Sequence, residues 1–299
     1  MNPQNIDRLL VFQTAGGNVL TLQALRRRYG LAPAGTNFYY GINQENCDLF
    51  ATTGSPLNPT HVSFFDGIMA SLRTGTADEV TVVLGVEPPS TATTYNYAFV
   101  SAHTNVVRAL AAALAGMQAQ AAAENKRLAI SIRYASEMND RGEPEQFKAS
   151  FAEVRQIFRD AAPGTLFSFS PAIRADVDIS KIPEYWPGND LVDIIGGTWY
   201  IHGQVQQAKS TANLRDYVLH SAGADKPFAL DEVGGANAAA TNNDEMLQFM
   251  LHQMAALSAQ HVAFQYATIF LASDLWGKQA TLAFLDSSEP LPPSPEAFA

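Results

Sequence analysis

The chain has 299 residues, 47% of them hydrophobic and 16% charged, with a formal net charge of −10. Such a composition supplies a large buried core and excludes a disordered chain, while the acidic excess argues against nucleic acid as a partner. A single cysteine, Cys47, excludes an intrachain disulfide framework and any cysteine-cluster metal site.

Taken in chain order, Met1 to Asn5 lacks the basic and apolar segments of a signal peptide, which leaves open both a protein that is not exported and one whose leader was removed. Leu9–Gln13 and Asn37–Gly41 are the weaker strand candidates, followed by helical patterns over Leu20–Tyr29 and His61–Leu72. The clearer strands are Val80–Val86, Leu128–Tyr134, Thr165–Ser170, Val192–Trp199, Phe228–Val233 and Val262–Leu271. Ala109 to Ala123 is the longest soft stretch, broken by Gly116, Gln118 and Gln120, so no window reaches the roughly 18 uninterrupted apolar residues of a membrane span. In Glu145–Ala161, Phe147, Phe151, Val154 and Phe158 recur at helical spacing, and Asp244–Leu257 repeats the pattern with Met246, Phe249, Met250, Met254 and Leu257. The Pro-rich tail, from about residue 289 onward, reads as a terminal strap or a disordered end.

Six clear and two weaker strands, alternating with helices at near-regular spacing, predict an α/β fold: a (β/α)8 TIM barrel formed by one domain spanning residues 1–299. Neither a Gly-x-Gly-x-x-Gly turn nor a phosphate-binding loop is present, so a nucleotide-binding reading has no anchor. No Gly-x-Ser-x-Gly elbow supplies a serine nucleophile. The six histidines lack His-x-His or His-Glu-x-x-His spacing, so neither a metal nor any other cofactor is expected.

In such a barrel the active site lies at the C-terminal ends of the strands. Two carboxylates stand there: Glu137, just after the fourth predicted strand, and Glu232, in the seventh. Strands four and seven face each other across the mouth, and glycoside hydrolysis needs such a pair, one to protonate the leaving oxygen and one to attack the anomeric carbon. The plainer alternative is that strand-end acids cap loops or pair with arginine.

Arg133-Tyr134-Ala135-Ser136-Glu137-Met138-Asn139-Asp140 is similar to the Arg-Pro-x-His-Glu-Met-Asn segment of glycoside hydrolase family 26, the β-mannanase family of clan A. Val86-Glu87-Pro88-Pro89 resembles its Trp-Glu-Pro at the third strand, and Phe167-Ser168-Phe169-Ser170-Pro171 its Val-Trp-Ser-Pro at the fifth. Tyr185 to Gly196 resembles its Tyr-Tyr-Pro-Gly-Asp segment and sixth strand, and Lys226 to Gly234 its Lys-Pro-x-x-x-x-Glu-x-Gly at the seventh. The resemblance covers about residues 80 to 276, in order. It implies Glu137 as acid/base, Glu232 as nucleophile, Tyr200 as the hydrogen-bond partner of the nucleophile, and Trp276 as the platform under the sugar beside the scissile bond. Arg133, Ser136, Asn139, Glu87 and His202 complete the expected substrate-binding set.

The chain departs from the pattern at Ser136, where the family has His, at Tyr134, where it has Pro, and at Gly85-Val86, where it has Trp. The expectation is a divergent retaining, endo-type hydrolase of a β-linked polysaccharide, mannan-like or a bacterial exopolysaccharide, monomeric and without a membrane or nucleic-acid partner. The alternative is a barrel that binds carbohydrate without cutting it.

Several residues carry competing expectations. Trp199 and Tyr200 are adjacent, so one faces the barrel interior and the other the helices. Asp231 is expected to point away from the barrel interior, in an outward salt bridge. Glu87 either lines the cleft or braces a loop. Asp193 reads as a structural partner, Trp186 as a loop former, and the run Phe38-Tyr39-Tyr40 chiefly as core, with one of the three stacking on a distal sugar as the alternative.

Overall fold

The protein is described from a computed structural model, which covers residues 10–14, 35–74, 78–91, 94–201, 203–220, 226–235, 253, 256 and 264–271. The strands are β1 (Leu10–Thr14), β2 (Gly35–Gly41), β3 (Glu79–Glu87), β4 (Arg127–Tyr134), β5 (Thr165–Phe169), β6 (Ile194–Ile195), β7 (Thr198–Ile201), β8 (Phe228–Gly235) and β9 (Phe264–Leu271). They pair in the order β6-β5-β4-β3-β2-β1-β9-β8-β7, every pairing is parallel, and β6 also pairs with β8. That last contact closes the sheet. β6 and β7 are two pieces of one stave, so the closed sheet has the eight staves of a (β/α)8 barrel.

Each described strand begins and ends within two residues of its predicted bounds except in the sixth stave, where a single strand over Val192–Trp199 was expected. That stave is interrupted at Gly196-Gly197 because the interior is full: a Cβ on Gly196 would stand 1.9 Å from Asp231 Oδ2 and 2.1 Å from Ser168 Oγ. Only glycine lets the backbone approach those groups so closely.

The helices are α1 (Gln44–Thr53), α2 (Pro59–Arg73), α3 (Tyr97–Ala102), α4 (Thr104–Ala123), α5 (Met138–Arg141), α6 (Pro144–Ala161) and α7 (Gly203–His220). α6 forms where Pro144 opens a segment whose Phe147, Phe151, Val154 and Phe158 share one face. All four are fully buried, and Phe151 and Phe158 meet Phe167 of β5 edge-on. α2 starts at Asn58, which accepts from the His61 backbone N–H while the His61 ring returns a bond to the Asn58 backbone. α4 is the one helix among the described residues long and apolar enough to cross a membrane. Its Val106, Val107, Leu110, Ala111 and Leu114 are buried, and the helix packs on α6 and β4. The predicted helices over 20–29 and 244–257, and the tail from 289, lie outside the described residues.

The main core lies between sheet and helices. A second small cluster, Val83, Ile194, Ala229 and Tyr266, comes from four different staves and fills the barrel interior. Above it the interior turns polar, with Ser131, Ser168, Asp231 and Arg133 all essentially inaccessible to solvent. The fold therefore places its buried charge at the C-terminal end of the staves.

Candidate active site

Glu232 lies in β8 at a point where the strand carries an extra residue. Leu230 pairs with Ala267 and Val233 with Ile269, three steps on one strand against two on the other. The N–H groups of Asp231 and Glu232 both reach the carbonyl of Gly197, at 3.0 and 3.4 Å, which marks a β-bulge. The bulge cancels the alternation of side chains, so consecutive carboxylates both turn inward. The expected outward salt bridge of Asp231 is thereby overturned. Asp231 is fully buried, accepting from Ser168 Oγ at 2.6 Å and from Tyr266 OH at 2.7 Å.

The Glu232 carboxylate is held by three side chains. Oε2 accepts from Tyr39 OH at 2.6 Å and from Arg133 Nη1 at 2.5 Å, and Oε1 accepts from Tyr200 OH. Burial pushes the carboxyl up, but the Arg133 charge and the bonds from Tyr200, Tyr39 and Arg133 outweigh it, leaving Glu232 below the ordinary carboxylate range. Trp199, fully buried, faces the helices and donates to Ser210, so Tyr200 is the member of the pair that reaches Glu232. His202 and Trp276 lie outside the described residues.

Arg133 is wholly buried, with four of its five N–H donors engaged: Nε donates to Ser170 Oγ at 3.0 Å, Nη1 to Tyr39 OH and Glu232, and Nη2 to Thr198 Oγ1. It therefore orients the Glu232 carboxylate, and its complete burial keeps it from the substrate contact expected of it. Tyr39 passes one interaction onward, accepting from Arg133 and donating to Glu232. Sequence reasoning missed Tyr39. The signal was the strand alternation within Phe38-Tyr39-Tyr40: Phe38 stacks on Phe64 of α2 and Tyr40 bonds the Pro56 carbonyl, both outside the barrel, which leaves Tyr39 pointing in.

Glu137 stands three residues beyond β4, at the same end of the sheet. It takes the left-handed conformation (φ 57°), as does Ala135 (φ 48°). Its N–H donates to the Ser170 carbonyl at 2.8 Å, so the Ser170 residue links Glu137 to Arg133 and through it to Glu232. The side chain is 9% exposed and both oxygens are paired, Oε2 with Arg141 Nη2 at 2.8 Å and Oε1 with Arg174 Nη1 at 3.0 Å. Arg174 is shared with Asp140 and Asp176. Neither arginine was singled out in the sequence, and nothing in their spacing marks them.

Ser136 directs its hydroxyl to Glu87 Oε1 at 2.7 Å. Asn139 bonds Ala172 through both ends of its amide, donating to its carbonyl at 3.0 Å and accepting from its N–H at 2.8 Å, and so braces two loops. Asp193 pairs with Arg155 and caps the Phe167 N–H, a structural role. Trp186 bonds Asn189 and meets Phe169 edge-on, as a loop former does. Among the described residues no group of three or more metal-ligating side chains is gathered.

No protein-family model and no curated protein matches the chain. Solved structures do. GH26C from Muricauda sp. MAR_2010_75 aligns with a TM-score of 0.64 at 16% identity over 98% of this chain and 92% of its own. A GH26 β-mannanase from Bacteroides ovatus aligns with a TM-score of 0.62 at 16% identity, covering 96% and 91%. Cel5A from Thermotoga maritima, solved with cellobiose, gives 0.57 at 11% identity, covering 95% and 99%. The chain thus has the barrel fold of family 26 glycoside hydrolases, in a divergent form.

Proposed function

We propose that the chain is a retaining, endo-acting glycoside hydrolase of a β-linked polysaccharide, with Glu232 as nucleophile and Glu137 as acid/base, in a single catalytic domain. The observation that carries this reading is the Glu232 carboxylate, kept ionised by Arg133, Tyr39 and Tyr200 at the C-terminal end of the barrel. A nucleophile must be ionised to attack, and a carboxylate with three donors is oriented as well as charged. In the first step Glu137 gives its proton to the glycosidic oxygen while Glu232 bonds the anomeric carbon. In the second step Glu137 takes a proton from water, which attacks that carbon and frees Glu232. Because several solved neighbours are β-mannanases, a β-mannan is the first polymer to test. By resemblance, Trp276 is proposed as the platform for the sugar.

The glycosidic oxygen needs one of the two Glu137 oxygens, and each carries a guanidinium in the free protein. Arg141, 37% exposed on the one-turn helix α5, is the partner that moves aside; Arg174 stays with Asp140 and Asp176. The same double ion pair favours the second reading, a barrel that binds carbohydrate without cutting it. Reducing-end release from mannans, glucans, xylans and bacterial exopolysaccharides separates the two. Hydrolysis of one polymer, reduced by about 100-fold or more in Glu137→Gln and in Glu232→Gln, supports the enzyme. Binding with no release from any polymer supports the second reading.

A further inference from the structure

Glu87 ends β3, and its carboxyl sits in a ring of short contacts. Oε1 accepts from Ser136 Oγ at 2.7 Å and lies 3.4 Å from the Ser136 N–H. Oε2 lies 2.7 Å from the Tyr95 hydroxyl, and that same hydroxyl lies 2.8 Å from the Ser136 carbonyl. A phenol has one hydrogen, whereas a carbonyl and an ionised carboxylate only accept. Were Glu87 ionised, one of the two contacts at Tyr95 would set lone pair against lone pair. With a proton on Oε2 each contact has its hydrogen: Glu87 donates to Tyr95, Tyr95 to the Ser136 carbonyl, and Ser136 Oγ back to Glu87.

The surroundings agree with a neutral group. Burial pushes the Glu87 carboxyl up, against the pull of Arg133 and of the bonds from Ser136 and Tyr95. The charged and titratable neighbours are Arg133 of β4, Arg141 of α5, which also hydrogen-bonds Tyr95, and the tyrosines Tyr39, Tyr95, Tyr97 and Tyr134. Both cations already have carboxylate partners, Arg133 in Glu232 and Arg141 in Glu137.

What the ring holds is the turn that aims Glu137. Ala135 and Glu137 are both left-handed, and side-chain-bearing residues stay in that region only where their neighbours enforce it. The Ala135 N–H is tied to Val86 O at 3.0 Å and the Glu137 N–H to Ser170 O at 2.8 Å. Ser136, between them, is fixed through both its carbonyl and its hydroxyl by Tyr95 and Glu87. Ser136 is also one of the positions where the chain departs from the family pattern.

We propose that Glu87 is a neutral carboxylic acid whose proton, relayed through Tyr95, locks the Ala135–Glu137 turn, making it a positioning residue for Glu137. The positioning role rests on the acid/base reading of Glu137; the protonation does not.

The test joins a spectrum to a rescue. The infrared spectrum of the protein at neutral pH, minus that of Glu87→Gln, should contain the C=O stretch of one protonated carboxylic acid that moves on carbonyl-13C labelling of glutamate. Absence of that band overturns the proposal, whether or not any polymer is cleaved. Glutamine places an N–H where the acid has its O–H, so E87Q should keep kcat within a few-fold, whereas Glu87→Ala should lose about 10- to 100-fold in kcat with KM little changed. If E87Q is as impaired as E87A, Glu87 acts as an anion and the proposal fails. If E87A does not fold, the band and the activity of E87Q decide. A protein that cleaves nothing but shows the band would sink the proposed function and leave the neutral acid standing.

Discussion

The ring of Tyr39 occupies the space that a side chain on Gly85 would need. The two face each other in register across β2 and β3, and a Cβ on Gly85 would stand 2.3 Å from Cδ1 of the tyrosine. The absence of a side chain at Gly85 leaves room for that ring, and so for a second tyrosine beside Tyr200 on the Glu232 carboxylate.

Gly85→Ala should therefore act on Glu232 without touching it. The Tyr39 ring is backed by the barrel interior, so the clash moves the hydroxyl off Oε2. The expected outcome is a fall in kcat of about 10-fold, with overpacking costing about 1–3 kcal/mol of stability. Steady-state kinetics and denaturant unfolding of the variant check both; an unchanged kcat would mean that the Tyr39 bond does not matter to the chemistry.

Tyr39→Phe and Tyr200→Phe each remove one donor from a carboxylate whose ionisation those donors favour. The carboxyl then holds its proton to higher pH, so the acidic limb of kcat/KM should move upward in both variants. Each hydrogen bond to a charged group contributes about 1.5–3 kcal/mol, which corresponds to a loss of roughly 10- to 100-fold in kcat/KM. A pH–rate profile superimposable on that of the unaltered protein would contradict the arrangement described for Glu232.

Asp231 makes a prediction about stability. Burial pushes its carboxyl up, against the pull of Arg133 and the bonds from Ser168 and Tyr266. From the ordinary aspartate value upward, the unfolded chain releases this proton before the folded one does, so stability should fall as pH rises through that window. Asp231→Asn should flatten part of the fall. Asp231→Ala takes the acceptor of Ser168 and one of the two partners of Tyr266, and should cost about 1–3 kcal/mol at every pH. Urea unfolding over a pH series measures both effects.

The barrel was legible because its staves are runs of β-branched and apolar residues at regular spacing, and α6 because its phenylalanines keep strict helical period. The sixth stave was not, since its break at Gly196-Gly197 answers to Asp231 and Ser168, residues distant in sequence. The same limit hid the bulge: alternation along β8 predicts opposite directions for Asp231 and Glu232, and only pairing with the neighbouring staves reveals the extra residue. Glu137 and Glu232 could be named from strand ends and from resemblance. Arg141 and Arg174 could not, because their role depends on loop geometry that no local pattern encodes. Arg133 was recognised but given the wrong neighbour, a sugar in place of the carboxylate it holds.

The central claim is that Glu232 attacks the anomeric carbon and Glu137 serves first as acid and then as base. Proton NMR of the first product released from a β-linked polymer tests it most directly. Double displacement at the anomeric centre predicts the β-anomer before mutarotation. An initial α-anomer would show that water, not Glu232, attacks the sugar, and would contradict the account.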